Sequence, residues 1–181
     1  MAKIVECVPN ISEARNPAVV EAVVDEVRHT AGVTLLDYSS DMDHNRTVIT
    51  FFGSPEGVAE AAVRLAKKAA ELIDLRKHQG EHPRMGAVDV IPFIPVKEMT
   101  TEETVELSKK VAERVWKEAG IPVFLYEQSA SAPHRQNLAA VRKGQFEGMA
   151  EKVQQEEWEP DFGGRRIHPT GGVVAVGARP P

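Results

Sequence analysis

At 181 residues the chain has the length of a single domain, and the scaling of folded against extended surface buries roughly 70% of it, so a core needs no disulfide or metal staple. Lys and Arg number 22 against 27 Asp and Glu, a net charge of −5 with 42% hydrophobic residues, an ordinary globular balance that argues against nucleic acid as a partner. Cys7 is the only cysteine, which excludes an intrachain disulfide framework; with no apolar run of about 18 residues and no apolar stretch after Met1, a cytoplasmic protein that touches no membrane is expected.

Lys3 to Val8 reads as a first strand, ended by Pro9 and Asn10, because proline donates nothing to a ladder and asparagine suits a turn. Asn16 and Pro17 then supply the cap and first residue of a helix whose Val20, Val23, Val24 and Val27 share one face. After Gly32, Val33 to Tyr38 and Thr47 to Phe52 are β-branched and aromatic runs joined by the polar segment from Ser39 to Arg46, which predicts neighbouring antiparallel strands. Ser54 and Pro55 repeat the cap-plus-proline signal before a helix carrying Val58, Ala62, Leu65, Ala69 and Leu72. A polar loop from Arg76 to Gly86 leads into the apolar run Ala87 to Val96, where Pro92 and Pro95 predict an edge strand or one that ends early. Thr100 or Thr101 caps a third helix, through Val105, Val111 and Trp116 to Gly120. Ile121 to Tyr126 is another strand candidate, Glu127 to Pro160 is polar with a weak helical signal, and Gly171 to Ala178 returns to β character.

The early elements run βαββαβ, a ferredoxin-like split unit, extended here by a helix and two strands. No repeat or linker divides residues 1–181. A single α+β domain is expected, its helices packed on one face of a mostly antiparallel, mixed sheet, with the other face left without helical cover.

Reactive side chains concentrate in residues 74–86, where Asp74, Arg76, Lys77, His78, Glu81, His82 and Arg84 fall between helix and strand. A charged connection of this kind is usually only solvated surface, so the functional case rests on the two histidines. On one helix, four residues apart, they would suggest a metal pair. Gly80 between them and Pro83 after them oppose a helical register, and no third ligand has metal-site spacing, so no metal is expected. An imidazole titrates near neutrality and suits acid–base work, with Glu81 or Asp89 to orient it. Cys7 reads as a small buried hydrophobe, and His29, His44 and His134 as surface or capping residues. Phosphate-loop, dinucleotide and nucleophile-elbow patterns do not occur. A second segment, Asp161 to Gly172, sets Arg165 and Arg166 between paired glycines, which permit close backbone approach while the arginines fork onto carboxylates; a flexible turn before the last strand is the alternative.

These loops carry a resemblance. Val5-Glu6-Cys7-Val8-Pro9-Asn10-Ile11-Ser12-Glu13, Asn45-Arg46-Thr47, Gly80-Glu81-His82-Pro83-Arg84-Met85-Gly86-Ala87 and Asp161-Phe162-Gly163 resemble the formiminotransferase domain family, over about residues 2–179. The resemblance implies transfer of the formimino group of N-formimino-L-glutamate to tetrahydrofolate, a one-carbon step of histidine degradation with tetrahydrofolate as co-substrate. It implies that His82 is the catalytic proton acceptor and that the folate lies against Gly163, Gly164, Arg165, Arg166, Ile167, His168, Pro169, Thr170, Gly171 and Gly172. It implies two ferredoxin-like subdomains with facing sheets and a tunnel between them. This sequence resembles the N-terminal one, so the second wall is expected from a homodimer partner or a separately encoded C-terminal chain. Formiminoglutamate and folate both carry glutamate carboxylates, which makes Arg46, Arg76, Lys77 and Arg84, with Asn10 and Asn45, the expected substrate-binding residues.

Two positions depart from the family pattern. Ser39 stands where an aspartate could steady the histidine, leaving Asp37, Asp41 or Asp43 as substitutes, and the aromatic residue expected at Gly171 is missing. The rival expectation is therefore a folate- or anion-binding regulatory module that kept the fold and lost turnover, and a weaker one is formyl transfer.

Overall fold

Local capping chemistry fixes where the long helices begin. In the computed structural model, which describes residues 2–80 and 83–181, Asn16 accepts the Ala18 amide ahead of α1 (Pro17–Arg28). Ser54 accepts the Gly57 amide ahead of α2 (Pro55–Leu72). Thr100 and Glu103 form a reciprocal capping box ahead of α3 (Thr101–Ala119). Each cap satisfies an amide that has no partner within its helix. Gly120 closes α3 at a φ of 71°, in the left-handed region that glycine enters without steric cost.

The strands are β1 (Ile4–Cys7), β2 (Asn10–Ile11), β3 (Val33–Asp41), β4 (Arg46–Gly53), β5 (Val88–Lys97), β6 (Val123–Leu125) and β7 (Val174–Ala178). With α4 (Leu138–Arg142) and α5 (Gln145–Lys152) they make five α-helices and a seven-stranded mixed sheet among the described residues. The class is α+β, and the first part of the chain follows the expected βαββαβ order once β1 and β2 are counted as one broken strand. Both pieces lie between β4 and β5. Across the sheet the order is β3, β4, the β1–β2 line, β5, β7 and β6. The pairs up to β5 are antiparallel, and the β5–β7 and β6–β7 pairs are parallel.

Two expectations about strands need correction. The first strand stops at Cys7, ahead of Pro9 as expected, but Asn10 does not end it for good: the Val8 amide donates to the Pro92 carbonyl at 3.2 Å, the Pro9 carbonyl accepts from Ile49 at 3.0 Å, and pairing resumes at Asn10. The run with Pro92 and Pro95 is not an edge but the centre of the sheet, paired with β1 and β2 on one side and β7 on the other. A residue's N–H and C=O point to the same side of a strand and alternate along it. Pro92 therefore faces the break between β1 and β2. Pro95 shares the side of Phe93, whose carbonyl accepts from Arg179 just past the end of β7. Neither proline faces a ladder position that requires its missing N–H.

Alternation sends Val5, Cys7, Ile49, Phe51, Ile91, Phe93, Val123 and Val176 to one face, where α1, α2 and α3 cover them. The opposite face is covered at one end only. There Val90, Phe124 and Ala175 meet Val141, Met149 and Val153 from the 138–153 region, the polar stretch with weak helical signal. Toward β3 the face is open, with Ile4, Glu6, Val48, Thr50 and Phe52 half-buried. The expected bare face thus holds for about half of the sheet.

Candidate functional site

At the C-terminal end of α2 the chain enters the loop in which reactive side chains concentrate. Asp74 caps a 3-10 turn over Leu75–Lys77 and accepts the fork of Arg76 at 2.9 and 2.7 Å. That guanidinium brings the Asp74 carboxyl down to about 2. His78 follows, half-buried. Its Nδ1 accepts from Arg84 Nε at 2.9 Å, so the proton of the neutral ring lies on Nε2, which donates to the Asn45 carbonyl at 3.1 Å. Burial holds the His78 pKa below its ordinary value, and the Arg84 charge acts in the same direction. Asn45 sits at a φ of 53° and serves as a hub, its side chain accepting from Ala14 at 2.8 Å and donating to the Gln79 carbonyl at 3.0 Å. Glu81 and His82 lie outside the described residues.

Residues 84–89 are held from other directions. Arg84 is 7% exposed, and its guanidinium donates to Gln145 at 2.9 Å and in bidentate form to Glu147 at 2.9 and 2.5 Å. The buried Asp89 carboxylate accepts the Met85 amide at 2.6 Å and the Gly86 amide at 3.3 Å, and pairs with Arg142 at 2.5 Å. Burial raises its pKa, opposed by Arg142 and the two amides. Ser12 donates to the Gly86 carbonyl at 2.7 Å.

The second glycine-rich segment reaches this loop directly. Leu75 donates to the Thr170 carbonyl at 2.8 Å, Ala87 to Gly171 at 3.0 Å, and Val173 to Met85 at 3.0 Å. Gly86 and Gly172 bridge across the contact, where a Cβ on Gly86 would lie 1.9 Å from the Val173 carbonyl oxygen. His168 Nδ1 accepts from Gly171 at 2.9 Å and Thr170 at 3.2 Å, fixing the turn, and burial lowers its pKa. The earlier half of the segment lies elsewhere: Gly163 abuts Pro122 and Trp116, Arg165 pairs with Glu159, Arg166 lies over the Trp116 ring at 6.0 Å, and Ile167 packs against the core cluster that includes Val141 and Met149.

The expected substrate residues separate in the same way. A polar cavity of about 260 Å³ brings Asn45 and Lys77 together with Ser12, Glu13, Asp74 and His78. Arg46 and Asn10 are strand residues, register partners of Asp41 and Val48 on the open face. Arg84 and Arg76 already bind Glu147 and Asp74. Ser39 and Asp37 share the open face of β3, whereas Asp41 is bonded to His44 and the turn amides and Asp43 lies in that turn. A groove of about 640 Å³ between α2 and α3, beside Ala59, Leu107 and Arg114, touches none of these residues. Among the described residues no group of three or more His, Cys, Asp or Glu is placed to hold a metal ion, and no helix is long and apolar enough to cross a membrane. Cys7 is fully buried and its thiol pKa is pushed up by that burial. Arg142 and Glu147 were not legible as site residues, because nothing in a polar stretch marks which charges turn inward. Asp89 did carry a signal, as a lone carboxylate in an apolar run.

Residues 4–179 match the model of a family described as the formiminotransferase domain, N-terminal subdomain. The chain is similar to a glutamate formimidoyltransferase of Streptococcus pyogenes serotype M1, 62% identical over 181 residues that make up 100% of this chain and 60% of that protein. It is 47% identical over 179 residues to a formimidoyltransferase-cyclodeaminase of Rattus norvegicus, covering 33% of it. A glutamate formimidoyltransferase of Thermoplasma acidophilum is 43% identical over 178 residues, 58% of its length. The chain thus spans from a third to three fifths of these relatives.

Proposed function

The chain belongs to the formiminotransferase domain family as an N-terminal subdomain, and from that membership we propose that it forms one wall of a site transferring a formimino group from N-formimino-L-glutamate to tetrahydrofolate. The observation that carries the proposal is the joining of Leu75, Met85 and Ala87 to Thr170, Gly171 and Val173 by backbone hydrogen bonds, which gathers the family's two glycine-rich segments at one end of a half-open sheet.

The chemistry asks little of the protein beyond proton transfer and positioning. The folate N5 lone pair attacks the formimino carbon, the bond from that carbon to the glutamate nitrogen breaks, and the N5 proton passes to the departing amine. His82 takes the proton and returns it, a role typically worth about 10² to 10⁴ in rate. The pterin lies along the turn from His168 to Gly172. Lys77 in the polar cavity and Arg46 on the open face are the carboxylate clamps, with Arg165 and Arg166 further along; Arg76 and Arg84, bound to their own carboxylates, have a scaffolding role instead. Asp37 stands in for the carboxylate that Ser39 lacks.

The second wall comes from a second copy of the chain or from a C-terminal subdomain, and the working compartment is the cytoplasm. Family relatives longer than this chain support a two-walled arrangement. Formimino transfer measured beside calorimetric titration with tetrahydrofolate tests the proposal. His82→Ala should bind folate and fold normally while losing transfer; wild-type turnover removes His82 from the mechanism. Folate binding by the wild-type protein without turnover selects the regulatory module instead.

A further inference from the structure

The loop between α2 and β5 is also held by a region some 60 residues away in sequence. The 142–147 segment, where α4 passes into α5, meets residues 84–89 at three points: Arg142 with the Asp89 carboxylate at 2.5 Å, the Phe146 amide with the Arg84 carbonyl at 2.9 Å, and Glu147 with the Arg84 guanidinium. The loop-side partners are nearly dry, Arg84 with 9% of its side chain exposed and Asp89 with none; the Arg142–Asp89 pair is therefore screened far less than a surface pair, while the exposed Glu147 holds Arg84 through its bidentate geometry.

Each pair directs a further contact. The bidentate grip of Glu147 fixes the plane of the Arg84 guanidinium, and the same plane carries the Nε–H that donates to His78 Nδ1. Arg142 balances Asp89, whose other oxygen collects the Met85 and Gly86 amides. The chain is thereby anchored where it enters positions 81 and 82, through His78, and where it leaves them, through Arg84, Met85 and Gly86. Resting on the transfer reaction proposed above, we propose that Glu147 and Arg142 are positioning residues for that reaction, acting through Arg84 and Asp89 as a two-point electrostatic clamp on the loop.

Glu147 is the practical handle, because 64% of its side chain is exposed and its replacement leaves the core intact. Glu147→Gln, Arg142→Gln and Arg142→Lys are made in the full chain. Their kcat, KM for both substrates and melting temperature are measured, together with hydrogen exchange at the Met85 and Gly86 amides. A misplacement near 1 Å costs up to about 100-fold in rate. The expected result is a fall of about 10- to 100-fold in kcat for both Gln variants, at KM values near wild type and at temperatures well below melting. Exchange at Met85 and Gly86 should accelerate in Arg142→Gln, and Arg142→Lys should restore most of both losses.

Wild-type kcat in both Gln variants overturns the clamp, as does a loss that follows the melting temperature and is not restored by lysine. If the unmodified protein transfers nothing, the reaction itself is wrong and the exchange measurement decides the clamp alone. Accelerated exchange then supports it, and unchanged protection overturns it.

Discussion

Gly86 is the residue on which the meeting of the two segments turns. Its α-hydrogens face the Val173 and Val88 carbonyl oxygens, which a Cβ would approach to 1.9 and 2.7 Å. Both obstacles are backbone, so neither can swing aside. Gly86→Ala should cost about 3 kcal/mol, the upper part of the overpacking range, read by chemical denaturation. Gly148, inside α5 with nothing near its Cβ position, is the control: Gly148→Ala should gain about 0.5–1 kcal/mol. His78 and His168 add a pH dependence. Burial holds both folded-state pKa values below the ordinary imidazole value of about 6.5, so the unfolded chain binds protons first as pH falls. Stability is complete above that pH and is lost as pH drops below it. His78→Gln can still accept from Arg84 and donate to Asn45, so it should flatten the stability curve as pH falls below about 6.5. A slope equal to wild type there excludes His78 as a contributor.

Among the elements, α4 and α5 depend on polar chemistry more than on apolar burial. Lys152 Nζ donates to the Ala140, Val141 and Lys143 carbonyls at 2.7, 2.7 and 2.8 Å and lies over the Trp158 ring at 4.2 Å, so one ammonium closes the end of α4 and binds it to α5. Lys152→Met keeps the stem and removes the charge. It should cost about 1–2 kcal/mol by thermal or denaturant unfolding, and no loss would place those carbonyls in water. The same pair of helices explains what the sequence concealed. Asn16, Ser54 and Thr100 announce α1, α2 and α3 because a cap and a long apolar stripe occur together. The α4–α5 region has only Val141, Met149 and Val153 as fully buried anchors, too few for a periodic signal, and the partners of its charges lie in another part of the chain. The central place of β5 was hidden for another reason: a proline warns of a missing donor, and only the neighbouring strands reveal that no donor is needed there. Of the site, the motif blocks were legible from local residues, while their joining through Thr170 and Gly171 depends on a long-range pairing that no local pattern encodes.

For the whole molecule, the half-open sheet sets the question of association. Ile4, Val48, Phe52 and Ile94 line that face with Glu6 and Thr50 among them, a mixture suited to lining a covered, partly wet space. If a second copy supplies the other wall, the purified chain should have twice the monomer mass by light scattering, and Phe52→Asp should return it to monomer without changing its melting temperature by more than a few degrees. A wild-type monomer leaves a C-terminal subdomain as the remaining source. The insertion of β7 between β5 and β6 carries a temporal consequence. Val90 meets Ala175 across more than 80 residues of sequence, and Val123 meets Val174 on the other side, so the two parts of the sheet join only when β7 docks between them. Because Met85 and Ala87 bond to the stretch that leads into β7, the joining of the two glycine-rich segments rests on the same long-range docking that unites the sheet, and neither forms from neighbouring residues alone.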